Sequence, residues 1–93
     1  MSTFPEIDVK EEVLEAEVTT GLHNLIVYND DVNTFDFVID VLMEVCDHTP
    51  EQAEQCTLLV HYKGKCAVKT GEFEKLASMR NAVCARGLSA EVE

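Results

Sequence analysis

The feature that most constrains the fold is a junction between two apolar runs. The first run, LHNLIVY (22–28), is rich in β-branched and aromatic residues, which predicts a strand. It stops at Asn29-Asp30-Asp31, and apolar residues then recur at helical spacing. Asn33 is the expected N-cap of that helix, with Asp36 at position N3. The sequence therefore predicts a polar loop between a buried strand and a buried helix.

The next signals predict a second helix directly after the first. The stretch DHTPEQ places Thr49 at an N-cap, Pro50 at N1 and Gln52 at N3, which together form a capping box. We expect this helix to run to about Lys63 and to end at Gly64. Its expected inner face consists of Ala53, Cys56, Leu59 and Val60.

The last third of the chain predicts a strand, a helix and a closing strand. KCAVKT (65–70) alternates, and Thr70 is the expected cap of a third helix with Glu72 in its first turn. The expected apolar positions of this helix are Phe73, Leu76, Ala77, Val83 and Cys84. Gly87 is a helix stop, and LSAEVE (88–93) alternates again. The order β-α-α-β-α-β predicts an α+β domain: a three-stranded, mostly antiparallel sheet with three helices on one face.

The first 21 residues differ from the rest of the chain. They carry many acidic side chains and scattered apolar ones, so we predict a flexible acidic N-terminal extension (1–21) before a core domain (22–93). No apolar stretch approaches the roughly 20 residues that span a bilayer. The acidic start also lacks the basic region of a secretion signal, and we expect a cytoplasmic protein.

The net charge of −11 argues against two classes of partner. Residues 23–59 hold eight acidic side chains and no Lys or Arg. Nucleic acid and anionic membranes both require basic residues, so neither is an expected partner. An acidic surface suits a cationic ligand, although it also serves solubility.

The sequence does not indicate an enzyme or a metal protein. The four cysteines form no CxxC pair, and they are expected to pack in the core as reduced thiols. The Asn-Asp-Asp loop lacks the Gly and the terminal Glu of a calcium loop. No nucleophile motif or glycine-rich phosphate loop accompanies His23, His48 or His61, so we expect no cofactor.

Capture of an ammonium group is the third chemistry open to this loop. Asn29 and Asp31 are two residues apart on an extended segment, so both side chains can lie on the same side. An amide oxygen, a carboxylate and a neutral imidazole would match the three donors of an ammonium. Recognition of an N-terminal amine is one of the recurring modes of peptide binding, but turn and cap formation remains the simpler explanation of these residues.

Two motifs resemble one known family. NLIVYNDDVNTFDFVIDVLMEV is similar to the signature of the ClpS adaptors of Clp AAA+ proteases, and EQAEQCTLLVHYKGKCAV is similar to their next helix and strand. The similarity covers about residues 22–93. It implies an α+β adaptor without catalytic activity, which binds proteins with N-terminal Phe, Tyr, Trp or Leu and delivers them to a Clp unfoldase.

The resemblance also implies site residues. Asn29, Asp31 and His61 would hold the substrate's α-amino group. The pocket for the substrate's first side chain would be formed by Tyr28, Asn33, Phe35, Val38, Thr57, Val60 and Leu88. Glu72 and Lys75 would contact the N-terminal domain of a ClpA- or ClpC-like unfoldase, and the N-terminal extension would engage it during delivery.

The sequence departs from the family pattern at three places. Phe35 and Thr57 stand where Met is common, and Ala77 stands where a Lys is usual, with Lys75 as a substitute. The alternative is therefore a ClpS-like domain that modulates its ATPase without reading N-degrons.

Overall fold

The computed structural model describes residues 21–93. The element order is β1 (Leu22–Tyr28), α1 (Phe35–Cys46), α2 (Pro50–Lys63), β2 (Lys65–Glu72), α3 (Phe73–Ala85) and β3 (Ser89–Val92). The prediction of a flexible extension over residues 1–21 lies, except for Gly21, outside the described residues. The predicted α+β architecture, with three strands and three helices in this order, is confirmed.

The sheet has β1 at its centre. The strand order is β2-β1-β3, and β1 pairs antiparallel with both neighbours. Side chains alternate along β1, so Leu25 and Val27 lie on the face that packs against the helices. They meet Val41 and Leu42 of α1 and Leu76 of α3 in one apolar core.

Helix α2 begins and ends where its local signals predict. The Thr49 hydroxyl accepts from the Gln52 N–H at 3.2 Å, and the Gln52 side chain accepts from the Thr49 N–H at 3.0 Å. At the other end Gly64 has a φ of 90°. Glycine adopts this left-handed conformation without the strain that a Cβ would cause.

The predicted caps of the other two helices are wrong. Thr34, not Asn33, caps α1, and its hydroxyl accepts from the Phe37 N–H at 3.1 Å. Thr70 does not cap α3, because β2 continues past it to Glu72 and its hydroxyl donates to Asn24 Oδ1 at 2.7 Å.

One residue predicted on an inner face and one predicted apolar helix position are at the surface. Leu59 of α2 is 43% exposed and Phe73 of α3 is 53% exposed.

Two of the four cysteines, Cys46 and Cys66, are buried, and all four thiols are free. Burial, with Cys56 nearby, raises the pKa of Cys66 to about 12, so this thiol stays protonated at neutral pH and packs as a small apolar group.

Within residues 21–93, every helix is too short or too polar to cross a lipid bilayer.

Candidate functional site

The end of β1 is tied to the end of α2 by backbone hydrogen bonds. The Asn29 N–H donates to the Gly64 carbonyl at 2.9 Å, and the Gly64 N–H donates to the Val60 carbonyl at 3.0 Å. His61 lies one residue after Val60 on the same helical turn. These bonds therefore hold the Asn29 side chain and the His61 ring at neighbouring places on the surface.

Asp30 organises the loop between β1 and α1. Its Oδ1 accepts from the backbone N–H groups of Val32 and Asn33, both at 2.9 Å, and its Oδ2 accepts from Asn33 Nδ2 at 2.9 Å. The hydrogen bond from the Asn33 N–H, reinforced by the other two, holds the pKa of this carboxyl below its usual value. The loop is thus stabilised by an ionised Asp30 at neutral pH.

Asn33 connects this loop to the other end of the chain. Its Nδ2 also donates to the Gly87 carbonyl at 2.9 Å, so both of its N–H donors are used. These bonds hold the Asn33 side chain against Asp30 and Gly87, and α1 begins one residue later than predicted, at Phe35, with Thr34 as its N-cap. The sequence offered a local signal for the Asp30–Asn33 contact in their three-residue spacing, but none for the bond to Gly87, which lies 54 residues away.

A concave pocket of about 330 Å³ opens beside this junction. Its lining consists of Asn29, Asn33, Phe35, Val38, Thr57, Val60 and His61. The exposed members, Asn29, Phe35 and His61, form the mouth. The buried members, Val38, Thr57 and Val60, are 8%, 3% and 4% exposed and form the floor. The pocket therefore combines polar groups at its mouth with a mainly apolar floor.

Three of the residues expected at this site do not line the pocket. Asp31 is exposed on the loop next to the mouth. Tyr28 lies on the sheet face opposite the helices, because its neighbour Val27 points into the core, and its hydroxyl donates to Glu93 Oε2 at 3.2 Å. Leu88 is buried in the core.

A second cavity is slightly larger but offers less chemistry. It has a volume of about 380 Å³ and is lined by His48, Glu51, Gln52, Gln55, Cys56 and Val68. His48 Nε2 donates to the Val68 carbonyl at 2.7 Å, while its Nδ1 is buried without a partner among the described residues. Because that nitrogen is sealed from solvent, a ligand in this cavity cannot reach it.

Glu72 and Lys75 lie at the opposite end of β1. Leu22 pairs with Glu72 across the sheet, and the ring of His23 packs edge-on against Phe73 at 5.4 Å between centroids. Leu22 and Phe73 are 50% and 53% exposed, and Glu72 and Lys75 are also exposed. This end, which we call the Phe73 patch (Leu22, Glu72, Phe73 and Lys75), is an apolar surface with one charge of each sign. Sequence analysis identified its charges and gave Phe73 only as one of the apolar positions of the third helix.

No metal centre is formed by the residues from Gly21 onward, because they contain no group of three His, Cys, Asp or Glu side chains placed to hold an ion.

Comparison with known proteins decides the family. Residues 19–91 match the family described as "ATP-dependent Clp protease adaptor protein ClpS". The chain belongs to the ClpS family. ClpS proteins are adaptors, which agrees with the prediction of a protein without catalytic activity.

Individual ClpS proteins support the assignment. The chain is 40% identical over 65 residues to the Clp protease adapter protein ClpS of two Escherichia coli strains, O1:K1 and O139:H28. The match includes 68% of this chain and 61% of each relative, so the chain aligns with less than two thirds of their length. The structure of Agrobacterium tumefaciens ClpS2 bound to L-phenylalaninamide superposes with a TM-score of 0.76 at 20% identity. It covers 78% of this chain and 95% of the ClpS2 chain, which shows a shared fold.

Proposed function

We propose that this protein is an N-degron adaptor, which binds substrates through a bulky N-terminal residue and delivers them to a Clp AAA+ unfoldase for degradation. The observation that carries the proposal is the pocket that combines Asn29 and His61 at its mouth with a buried floor of Val38, Thr57 and Val60. An N-terminal residue has the matching form, with an ammonium group on one side of its Cα and an apolar side chain on the other.

The ammonium group is held at the mouth. The Asn29 side-chain oxygen and an unprotonated nitrogen of His61 can each accept one of its three N–H donors. Asp31 adds a negative charge on the adjacent loop. Hydrogen bonds that involve a charged group contribute about 1.5–3 kcal/mol each. An acetylated N-terminus has no such charge and only one N–H, so the mouth discriminates against it.

The first side chain of the substrate enters the pocket below. Burial of a large apolar side chain contributes about 1.5–3 kcal/mol. With the ammonium contacts and after the costs of association, micromolar or tighter binding is expected. The complex of ClpS2 with phenylalaninamide supports this occupant, because that ligand joins a free amino group to an aromatic side chain. Phe, Tyr, Trp and Leu are therefore the proposed first residues.

The Phe73 patch is the proposed contact with the N-terminal domain of a ClpA- or ClpC-like unfoldase. Glu72 and Lys75 provide charges of opposite sign around exposed Leu22 and Phe73. The patch and the pocket lie at the two ends of β1, six residue steps or about 20 Å apart. Substrate and unfoldase can thus be held at the same time. The proposal places the protein in the cytoplasm, with no cofactor, nucleic acid or membrane, and gives residues 1–21 a role in delivery.

A second candidate function is modulation of the ATPase without binding of N-degrons. Phe35 favours it, because this bulky ring lines the pocket where the family pattern has Met, and it is 37% exposed.

The test is fluorescence anisotropy with peptides that begin with Phe, Tyr, Trp, Leu, Ile or Met, together with an N-acetylated Phe peptide. The proposal predicts binding of the first four and loss of binding after acetylation. If the protein binds none of the peptides but still changes the activity of the ATPase, the second candidate function would be established instead.

A further inference from the structure

The pocket floor contains one polar side chain, Thr57, whose surroundings leave it able only to accept hydrogen bonds. It is 3% exposed, and its hydroxyl donates to the Ala53 carbonyl at 2.7 Å. A hydroxyl has one hydrogen to donate and two lone pairs that accept. Because the hydrogen is already used, a ligand that reaches Thr57 meets an acceptor.

The other polar side chain in the wall has the same bias. Both Nδ2 hydrogens of Asn33 are used, by Asp30 Oδ2 and by the Gly87 carbonyl. Its Oδ1 is left as an acceptor. Below the mouth, the pocket therefore offers oxygen lone pairs and no free donor among these two side chains.

We infer that Thr57 makes this pocket selective for N-terminal side chains that carry a hydrogen-bond donor, the phenol of Tyr and the indole of Trp, over Phe and Leu. This inference rests on the proposed function and names its preferred substrates. With the ammonium group held at Asn29 and His61, the far end of an aromatic side chain points to the floor, which Thr57 lines together with Val38 and Val60. A Tyr hydroxyl that is buried there regains the hydrogen bond that it gives up in water.

The size of the effect follows from the cost of an unmade hydrogen bond. A neutral hydrogen bond between protein and ligand changes affinity by about threefold to tenfold. A ligand hydroxyl that is buried without a hydrogen-bond partner lowers the affinity by a comparable factor. Removal of the Thr57 acceptor should therefore lower the affinity for a Tyr peptide more than the affinity for a Phe peptide. A floor with Met in this place would lack the hydroxyl oxygen.

The experiment compares Thr57→Val with Thr57→Ser. Val keeps the branched shape of Thr and replaces the hydroxyl with a methyl group, whereas Ser keeps the hydroxyl. The Ala53 carbonyl retains the α-helical bond from the residue 57 N–H in both variants, so α2 should remain folded. Thermal melts followed by circular dichroism check this before binding is measured.

The ligands are peptides that differ only in their first residue: Tyr, 4-methylphenylalanine or Phe. 4-Methylphenylalanine has nearly the shape of Tyr but no donor. We expect the wild-type protein to bind the Tyr peptide about threefold to tenfold tighter than the 4-methylphenylalanine peptide. Thr57→Val should weaken binding of the Tyr peptide about tenfold and change binding of the other two peptides less than about twofold. Thr57→Ser should bind all three peptides with affinities close to those of the wild type.

The outcomes separate the inference from the function on which it rests. If the Phe peptide binds and the ratio of Tyr to 4-methylphenylalanine affinity is the same in wild type and Thr57→Val, Thr57 is not a selecting acceptor and the inference is wrong. If the folded wild-type protein binds none of the peptides, the proposed function itself fails, and the inference fails with it.

Discussion

The two ends of β1 differ in how they are built. At the Tyr28 end, backbone bonds from Asn29 to Gly64 and side-chain bonds among Asp30, Asn33 and the Gly87 carbonyl surround a concave pocket. At the Leu22 end, exposed apolar side chains and two charged residues form a surface on which one aromatic ring packs against His23. The first end suits the proposed capture of a substrate's first residue. The second suits the proposed contact with an unfoldase.

This difference indicates which end tolerates change. Polar groups in the loop at the pocket end have several hydrogen-bond partners each, so loss of one group affects its neighbours. Side chains in the Phe73 patch are exposed, so we expect that they can be replaced with little effect on folding. The following variants test whether substrate binding depends on the pocket end of β1 and unfoldase binding on the Phe73 patch.

The largest expected effect is on substrate binding. Asn29→Ala removes a proposed acceptor for the ammonium group and should weaken binding of a Phe-initiated peptide about 10- to 100-fold, as measured by anisotropy. Asn81→Ala, an exposed Asn on α3, is the matched control and should bind like wild type. Equal losses in the two variants would show that Asn29 has no direct role.

The next effect is on the unfoldase. Phe73→Ala removes an exposed aromatic side chain and should weaken binding to the unfoldase N-terminal domain about tenfold in calorimetry, since aromatic residues often dominate such interfaces. Tyr62→Ala is the aromatic control: Tyr62 is 77% exposed and packs against His61 at the pocket mouth. If Tyr62→Ala weakens binding to the unfoldase domain and Phe73→Ala does not, the unfoldase contacts the pocket end of β1 and the proposed assignment of the two ends is wrong.

A smaller effect is on stability. Asp30→Ala removes three hydrogen bonds of a partly exposed loop and should lower the free energy of unfolding by about 1–2 kcal/mol in urea titrations. Asp31→Ala, the neighbouring carboxylate with no such bonds in the described part of the chain, should cost less than about 0.5 kcal/mol. Equal costs would contradict the role of Asp30 in holding the loop.

The smallest effect is the pH dependence of this stabilisation. Because the folded pKa of Asp30 is lowered, its contribution is complete above the unfolded value of about 3.9 and is lost as the pH falls through the folded pKa. The difference in unfolding free energy between wild type and Asp30→Ala should therefore be constant above about pH 5 and shrink in more acidic solution. A difference that grows on acidification would contradict the lowered pKa.

Local sequence signals predicted the parts of the fold that local interactions form. The capping box of Thr49 and Gln52 and the stop at Gly64 lie within one helix, and they set its ends correctly. The caps assigned to Asn33 and Thr70 were wrong because both helices begin later than predicted, and bonds to distant partners, Gly87 and Asn24, hold those two side chains elsewhere. Local sequence patterns cannot predict hydrogen bonds between residues that are so far apart in the chain.

The candidate site was predicted in part for the same reason. The resemblance supplied Asn29 and His61, and the structure places both at one pocket mouth with Phe35. The sequence did not reveal that Tyr28 faces away from the helices, because a strand's alternation identifies two faces without saying which one is covered. It also did not reveal that the Thr57 hydroxyl has already donated its hydrogen.

The central claim is that the pocket end of β1, and not the Leu22 end, receives the substrate's first residue. The most direct measurement is a titration of the ¹⁵N-labelled protein with a Phe-initiated peptide, followed by two-dimensional NMR, with the N-acetylated peptide as control. The account predicts amide shifts that cluster at Asn29, Asn33, Val60 and His61 with the free amine and are absent with the acetylated peptide. Shifts that cluster at Leu22, Glu72 and Phe73, or that are the same for both peptides, would contradict it.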